Sequence, residues 1–315
     1  MSWLARRLGT SLLLIWAVAS LVFLAIHMIP GDPAELLLSQ TGGAIDQSAL
    51  ENLRQKLGLN QPLATQYVNA MTGFLRGDLG VSLRDGSPVT EHILTRLPRT
   101  LELIAAAGLI AVVIGVPLGM LAATHAGGWI DRVVAQVTGF ALAVPVFVIG
   151  TLFVMLFAQT LRWVPAGGFV AFSEDPVQHL ILLAMPAFSI GIGLAAMIAR
   201  MTRTAMLEVM SKDFVRTARA KGVSERGVLI RHVLRNALSP VLTVLALHLG
   251  SLLGGTVLVE HVFNWPGLSG FLVSAVGARD YPEVVGIVLV ISILLILLNV
   301  LVDILYAVLD PRVRQ

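Results

Sequence analysis

The chain has 315 residues, 56% of them hydrophobic and 13% charged, with a formal net charge of +3. Soluble domains carry roughly 25% charged residues, so the composition excludes an ordinary soluble domain and reads as a membrane protein. The absence of cysteine excludes disulfides, thiolate metal sites and cysteine nucleophiles.

Residues 8–29 (LGTSLLLIWAVASLVFLAIHMI) form an apolar run long enough to cross a hydrocarbon core of about 30 Å. Arg6 and Arg7 precede it. A signal peptide is the competing reading, but its apolar core is usually about 7–15 residues, so an uncleaved first span is expected. Five further spans are expected at about 100–124, 133–160, 179–200, 239–262 and 284–309. Pro117, Pro145 and Pro186 are expected to kink their helices. The fold class is therefore an all-α integral membrane protein with six transmembrane helices.

Between the first two spans lies a segment too long for a simple connector. SALENLRQKLGL (48–59) and ATQYVNAMTGFLRG (64–77) have helical apolar spacing, with Pro62 and Gly77–Gly80 as punctuation. A small helical loop on the extracytoplasmic side is expected, giving an organisation of 1–30 (first span), 31–99 (outer loop) and 100–315 (membrane core).

Orientation follows from the basic residues. With both termini inside, the inner segments hold Arg6, Arg7, Arg132, Arg200, Arg203, Lys212, the 213–240 cluster, Arg312 and Arg314. Most outer basic residues fall in the long first loop, and long segments cross largely regardless of charge. Only Arg162 and Arg279 remain in short outer loops.

From Asp213 the inner segment 201–238 reads DFVRTARAKGVSERGVLIRHVLRNAL, followed by Ser239 and Pro240. Ser211 is expected to cap a short helix ending at Lys221, which Gly222 terminates in a left-handed conformation. Ser224 is expected to cap a second helix, with Glu225 at its positive end, running to Ala237 and into the fifth span. Three roles are open to this basic stretch. A lipid-facing inner loop needs only the charge. Nucleic-acid binding lacks interleaved aromatics beyond Phe214 and any recognised module. Docking to a soluble partner explains more: Thr217, Ala218 and Ala220 are small enough for a helix to seat in a groove, and Arg216, Arg219 and Lys221 supply steering charge.

RTARAKG (216–222) resembles the EAA-loop signature of ABC-importer permeases, in the form of the dipeptide/oligopeptide/nickel branch. The resemblance covers essentially the whole chain: HMIPGDPAELL (27–37), LGLNQPLATQY (57–67), GDLGVSL (77–83), RLPRTLEL (96–103), VFNWPGL (262–268), RDYP (279–282) and NVLVDILYAVLDPRVR (299–314) follow in order. PGDP and the long outer loop point to the first of two paired permease subunits. The usual EAA glutamate is Arg216 here, and the usual Leu-Pro downstream is Leu234-Arg235. The resemblance implies a location in the bacterial cytoplasmic membrane. It also implies four kinds of partner: a second homologous permease, two ATPase subunits or domains, an extracytoplasmic substrate-binding protein and the lipid bilayer. It implies that Arg216, Thr217, Ala218, Arg219, Ala220, Lys221 and Gly222 couple the membrane part to the ATPases.

A phosphate-cradling loop needs a Gly-Lys pair. The three lysines follow Gln55, Ser211 and Ala220, so ATP and Mg are expected on the partner ATPase subunits, with no cofactor on this chain. No catalytic residue is expected. GLSG (267–270) matches the intramembrane rhomboid protease signature, but no histidine follows His261 to activate Ser269. The seven histidines form no i, i+4 pair, so no metal site is expected. Within the spans, His248 either lines the translocation path or hydrogen-bonds a neighbouring helix. Gly254 and Gly255 either face the path or serve packing, as do Gly115/Gly119 and Gly250/Gly254 at small-xxx-small spacing. Asp303 is expected near the inner end of the last span, and Glu102 and Glu260 near the outer surface. The expected cargo is di- or oligopeptides, with nickel, a metal chelate or glutathione as the alternative. A stand-alone secondary transporter is the rival class; it needs coupling carboxylates near the midplane and commonly inverted repeats, and neither is evident.

Overall fold

A computed structural model describes residues 2–28, 34–35, 47–56 and 60–309. The PGDP stretch (30–33), Leu57–Leu59, Arg312 and Arg314 lie outside the described residues, as does the side chain of Asp303. The described helices are α1 (Ser2–His27), α2 (Gln47–Lys56), α3 (Leu63–Leu75), α4 (Val89–Thr124), α5 (Trp129–Ala143), α6 (Val146–Phe153), α7 (Pro176–Met210), α8 (Asp213–Ala220), α9 (Glu225–Gly227), α10 (Arg235–Gly255), α11 (Val257–Val262), α12 (Leu268–Gly277) and α13 (Tyr281–Leu309). The chain divides into two compact units, residues 1–98 with 271–300 and residues 99–270 with 301–315.

Five described helices are long and apolar enough to cross a membrane, over residues 6–25, 89–124, 176–210, 225–253 and 281–300. The sixth expected span, 133–160, is not one kinked rod. It is the pair Trp129–Ala143 and Val146–Thr160, bent by 95°. Pro145 explains the break: it has no N–H to donate, and it drives Val144 to an extended conformation (φ −85°, ψ 125°). Pro186, by contrast, sits inside a helix that runs on unbroken for 35 residues, and Pro117 likewise lies within α4.

In the first unit, α1 lies along α3. Ser20 Oγ and Tyr67 Oη are 2.7 Å apart, and the Phe23 and Tyr67 rings meet edge to face at 5.4 Å. The helices expected at 48–59 and 64–77 are α2 and α3. Gly77 and Gly80 both take positive φ, at 78° and 84°, in the turn that follows α3. Ser82 Oγ donates to Asp280 Oδ2 at 2.6 Å, His92 Nδ1 lies 2.7 Å from Glu283 Oε1, and the Arg96 guanidinium sits 3.8 Å from the Phe271 ring centre. These contacts tie the outer-loop segment and the start of α4 to α12 and the start of α13.

The second unit is built around α7, whose apolar window is 67% buried. Asp175 caps it, accepting from the backbone N–H groups of Val177 and Gln178, with Pro176 in the first turn, where a missing donor costs nothing. One apolar core joins Leu103, Leu183, Met185, Ile190, Phe263 and Trp265. Close approach between α4 and α7 depends on small residues. A Cβ on Gly115 would stand 2.6 Å from the Ala195 carbonyl oxygen, and one on Gly119 would collide with the Ala199 carbonyl and Thr202. The packing reading of the Gly115/Gly119 pair therefore holds.

Candidate functional site

Helix α8 is amphipathic, and its two faces do different things. Val215 is fully buried and Ala218 is 8% exposed. Both enter a core with Ala123, Ala205, Met206, Val228, Val233 and Ala237. Arg216, Thr217, Arg219, Ala220 and Lys221 are exposed, and Phe214 is half exposed beside them. The spacing of Val215 and Ala218 places them on one side of a helix, so the chain grips its own core with one stripe and presents the other. Ala218 is thus spent on internal packing and does not belong to the outward surface, unlike its small neighbours Thr217 and Ala220.

The helix starts at Asp213 with Lys212 in the capping position and no side-chain cap bond. Ser211 does not cap it. Its hydroxyl donates back to the Glu208 carbonyl at 2.7 Å and closes α7 instead. After Lys221, Gly222 takes φ +80° with nothing within 4 Å of an added Cβ, so backbone conformation rather than space calls for glycine there.

Across the Gly222 turn the two helices are clasped. Arg219 donates through Nη2 to Glu225 Oε1 at 2.6 Å and through Nε to Glu225 Oε2 at 3.1 Å. That bidentate pair raises the Arg219 pKa above its ordinary value. Arg216 has a weaker partner in Asp213 at 3.4 Å. The Ser224 hydroxyl accepts from the Gly227 N–H at 3.3 Å and so caps α9 as expected. Beyond α9 the helix widens into π geometry over Val228–Leu234 before α10 begins at Arg235. No sequence signal announced this π stretch, a form frequent at functional sites. Pro240 then lies inside α10.

Helix α10 ends at Gly255, and Val257–Val262 forms a separate short helix, so the expected span 239–262 is interrupted at Thr256. His248 is half-buried on α10, with no side-chain hydrogen bond among the described residues. Gly255 is exposed and nothing lies within 4 Å of an added Cβ; Gly254 occupies the preceding helical position. These three residues share helix α10.

The site that the sequence reading missed is built around Glu260, which is 1% exposed. Its Oε1 accepts from Thr100 Oγ1 at 2.9 Å and Thr256 Oγ1 at 3.0 Å, and its Oε2 from the Gly270 N–H at 2.6 Å. Thr100 Oγ1 in turn accepts from the Leu268 N–H at 2.7 Å. A Cβ on Gly267 would run into the carboxylate. Ser269 is buried and bonded to the Leu253 carbonyl at 2.8 Å, so it serves this network. The same unit holds His179 against Glu102 at 2.8 Å and the Val170 carbonyl at 2.7 Å. Trp265-Pro266-Gly267 was legible as a motif, but its carboxylate partner was not.

Residues 115–315 match the family described as "Binding-protein-dependent transport system inner membrane component", and residues 1–104 match that system's N-terminal membrane-component family. The chain is 40% identical over 314 residues to the glutathione transport system permease protein GsiC of Escherichia coli K12, covering 100% of this chain and 99% of the relative. It is 42% identical to GsiC of Salmonella choleraesuis SC-B67 over 297 residues, 94% of each chain. In structure it resembles the MetNI methionine ABC transporter in an inward-facing conformation, with a TM-score of 0.56 at 19% identity, covering 69% of this chain and 96% of that one. An amino acid ABC transporter crystallised with histidines gives 0.53 at 16% identity, covering 69% and 93%. Both likenesses are of fold. Together with the multi-pass helical fold, these matches make the chain a member of the binding-protein-dependent transport system inner membrane component family, a permease subunit of an ABC transporter.

Proposed function

We propose that this chain is the first of two homologous permease subunits in an ATP-driven importer of short peptides, with α8 docked on ATPase subunits. One observation carries the reading. The apolar stripe of α8 is locked on the chain's own core, which leaves Arg216, Thr217, Ala220 and Lys221 facing outward on a rigid support. A helix held that way transmits displacement, because its one anchored face and the Gly222 clasp move together. The inner positions of the basic residues support a cytoplasmic location for this surface and for both termini. ATP and Mg belong to the partner subunits, and a substrate-binding protein delivers cargo on the opposite side.

For cargo, the relatives at about two-fifths identity over the whole chain carry glutathione in their names, and glutathione is itself a tripeptide. That supports glutathione, one of the alternative cargoes, beside di- or oligopeptides and ahead of nickel or a metal chelate.

A mild-detergent pull-down of the tagged chain tests the docking. Arg216→Ala with Lys221→Ala should lower recovery of ATPase subunits while leaving the chain in the membrane. Undiminished recovery would return the basic stretch to lipid contact. Uptake of labelled glutathione, challenged with unlabelled dipeptides, tests the cargo; no uptake of either would refute the peptide class.

A further inference from the structure

Between α5 and the end of α7 lies a cavity of about 570 Å³, whose lining includes no residue of the Glu260 network or of α8. Arg132, Arg200 and Arg203 line it, with Asp131 as the one acidic residue and the hydroxyl-bearing Thr138 and Thr204. Asp131 is fully engaged: Oδ1 accepts from Arg203 Nε at 2.6 Å, and Oδ2 accepts from Arg203 Nη2 at 2.7 Å and from the Gly127 N–H at 2.9 Å. Arg203 and Asp131 therefore cancel as a structural pair. Arg132 and Arg200 are exposed and, among the described residues, neither is paired with a carboxylate. Two of the arginines that line the cavity thus have no carboxylate partner among the described residues.

Its surroundings narrow the class of anion. Along α5, Trp129 (74% exposed), Val133 (45%), Val137 (58%) and Phe140 (73%) form one outward apolar stripe at helical spacing. Arg132 stands on the helix surface between that stripe and the cavity-lining Ala135 and Gly139. A tryptophan at the end of an apolar stripe, beside arginines, is the pattern of a bilayer interface, where acyl chains lie along the stripe and headgroups meet the basic residues. A free anion would gain nothing from the stripe.

We propose that this cavity binds the phosphodiester headgroup of an anionic phospholipid, held by Arg132 and Arg200, with its acyl chains along Trp129, Val137 and Phe140. The position has a consequence for the permease. Ala205 and Met206, on the turns of α7 next to Arg203, belong to the core that holds Val215 and Ala218 of α8. A lipid seated at Arg200 therefore braces the end of α7 on which α8 rests. The reading is independent of the cargo.

The test uses the full-length chain with its co-purifying subunits in mild detergent, titrated with phosphatidylglycerol or phosphatidylcholine and read by native mass spectrometry. Phosphatidylglycerol should be retained over phosphatidylcholine. Arg132→Gln with Arg200→Gln should weaken that retention about thirtyfold, the change expected for two basic groups near an anionic headgroup. Arg132→Lys with Arg200→Lys should largely restore it, and thermal unfolding should be unchanged because the Asp131–Arg203 pair is untouched. Equal retention of the two lipids, or of phosphatidylglycerol by wild type and the glutamine variant, would overturn the proposal. So would displacement by glycerol phosphate at equimolar concentration, which would make the site one for free phosphate anions.

Discussion

Arg219 and Glu225 are joined by two hydrogen bonds across a turn whose hinge, Gly222, takes φ +80°. The pair links the helix that faces outward to the helix that leads into the membrane. Two routes therefore run from one to the other, the backbone through Gly222 and the side chains around it.

Breaking either route should uncouple the transporter without unfolding it. Gly222→Val forces a β-branched residue into a left-handed conformation at a cost of about 1–2 kcal/mol, and Glu225→Ala releases Arg219. In reconstituted vesicles, both variants should insert normally yet show several-fold less cargo moved per ATP hydrolysed. Coupling at the wild-type ratio in both would remove the turn from the mechanism.

Glu260 should matter for stability. Glu260→Ala removes the acceptor of the buried Thr100 hydroxyl and one partner each of the Thr256 hydroxyl, which keeps Ser269 Oγ at 3.0 Å, and of the Gly270 N–H; a stranded buried donor costs about 1–3 kcal/mol. The thermal unfolding midpoint in detergent should fall clearly. Gly267→Ala should fall with it, because its Cβ enters the carboxylate's space. Glu260→Gln should fall less, since its carbonyl oxygen keeps part of the acceptor set.

Sidedness can be read by thiol labelling, since the chain has no native cysteine. Ala220→Cys is exposed and should react with an impermeant maleimide in urea-washed inside-out vesicles but not in right-side-out vesicles. Val215→Cys, on the buried face of the same helix, should stay unreactive in both. Labelling of Ala220→Cys from outside would reverse the proposed topology.

The turn between Gly80 and Val89 carries a pH signature. Hydrogen bonds from the Ser87 hydroxyl and N–H hold the Asp85 carboxyl down at about 2, from an ordinary value of 3.8. A depressed folded pKa means that the carboxylate's contribution is complete above the ordinary value and is lost as pH falls from about 4 through 2. Backbone exchange at residues 82–88, corrected for the intrinsic rate, should therefore speed up as pH falls from about 4 through 2. Because Asp85 is exposed, the effect should be local. In Ser87→Ala, the onset should move up toward pH 4.

The sequence by itself determined the helices and the α8 turn, because these depend on neighbours a few residues apart. Apolar runs set the span lengths, Gly222 announced its left-handed turn, and Ser224 announced its cap. Order along the chain was enough to bring the permease motifs into line. Tertiary structure decided what depends on residues far apart. Ala218 reads as an outward small residue until α7 packs behind it. Glu260 has no partner legible in its neighbours until Thr100, 160 positions away, and Gly270 close on it. Arg203 meets Asp131 across 72 positions, and that pairing leaves Arg132 and Arg200 as the cavity-lining arginines with no carboxylate partner among the described residues. Local spacing specifies which face of a helix is apolar, but which element covers that face, and which buried charge finds a partner, follows from packing the helices together.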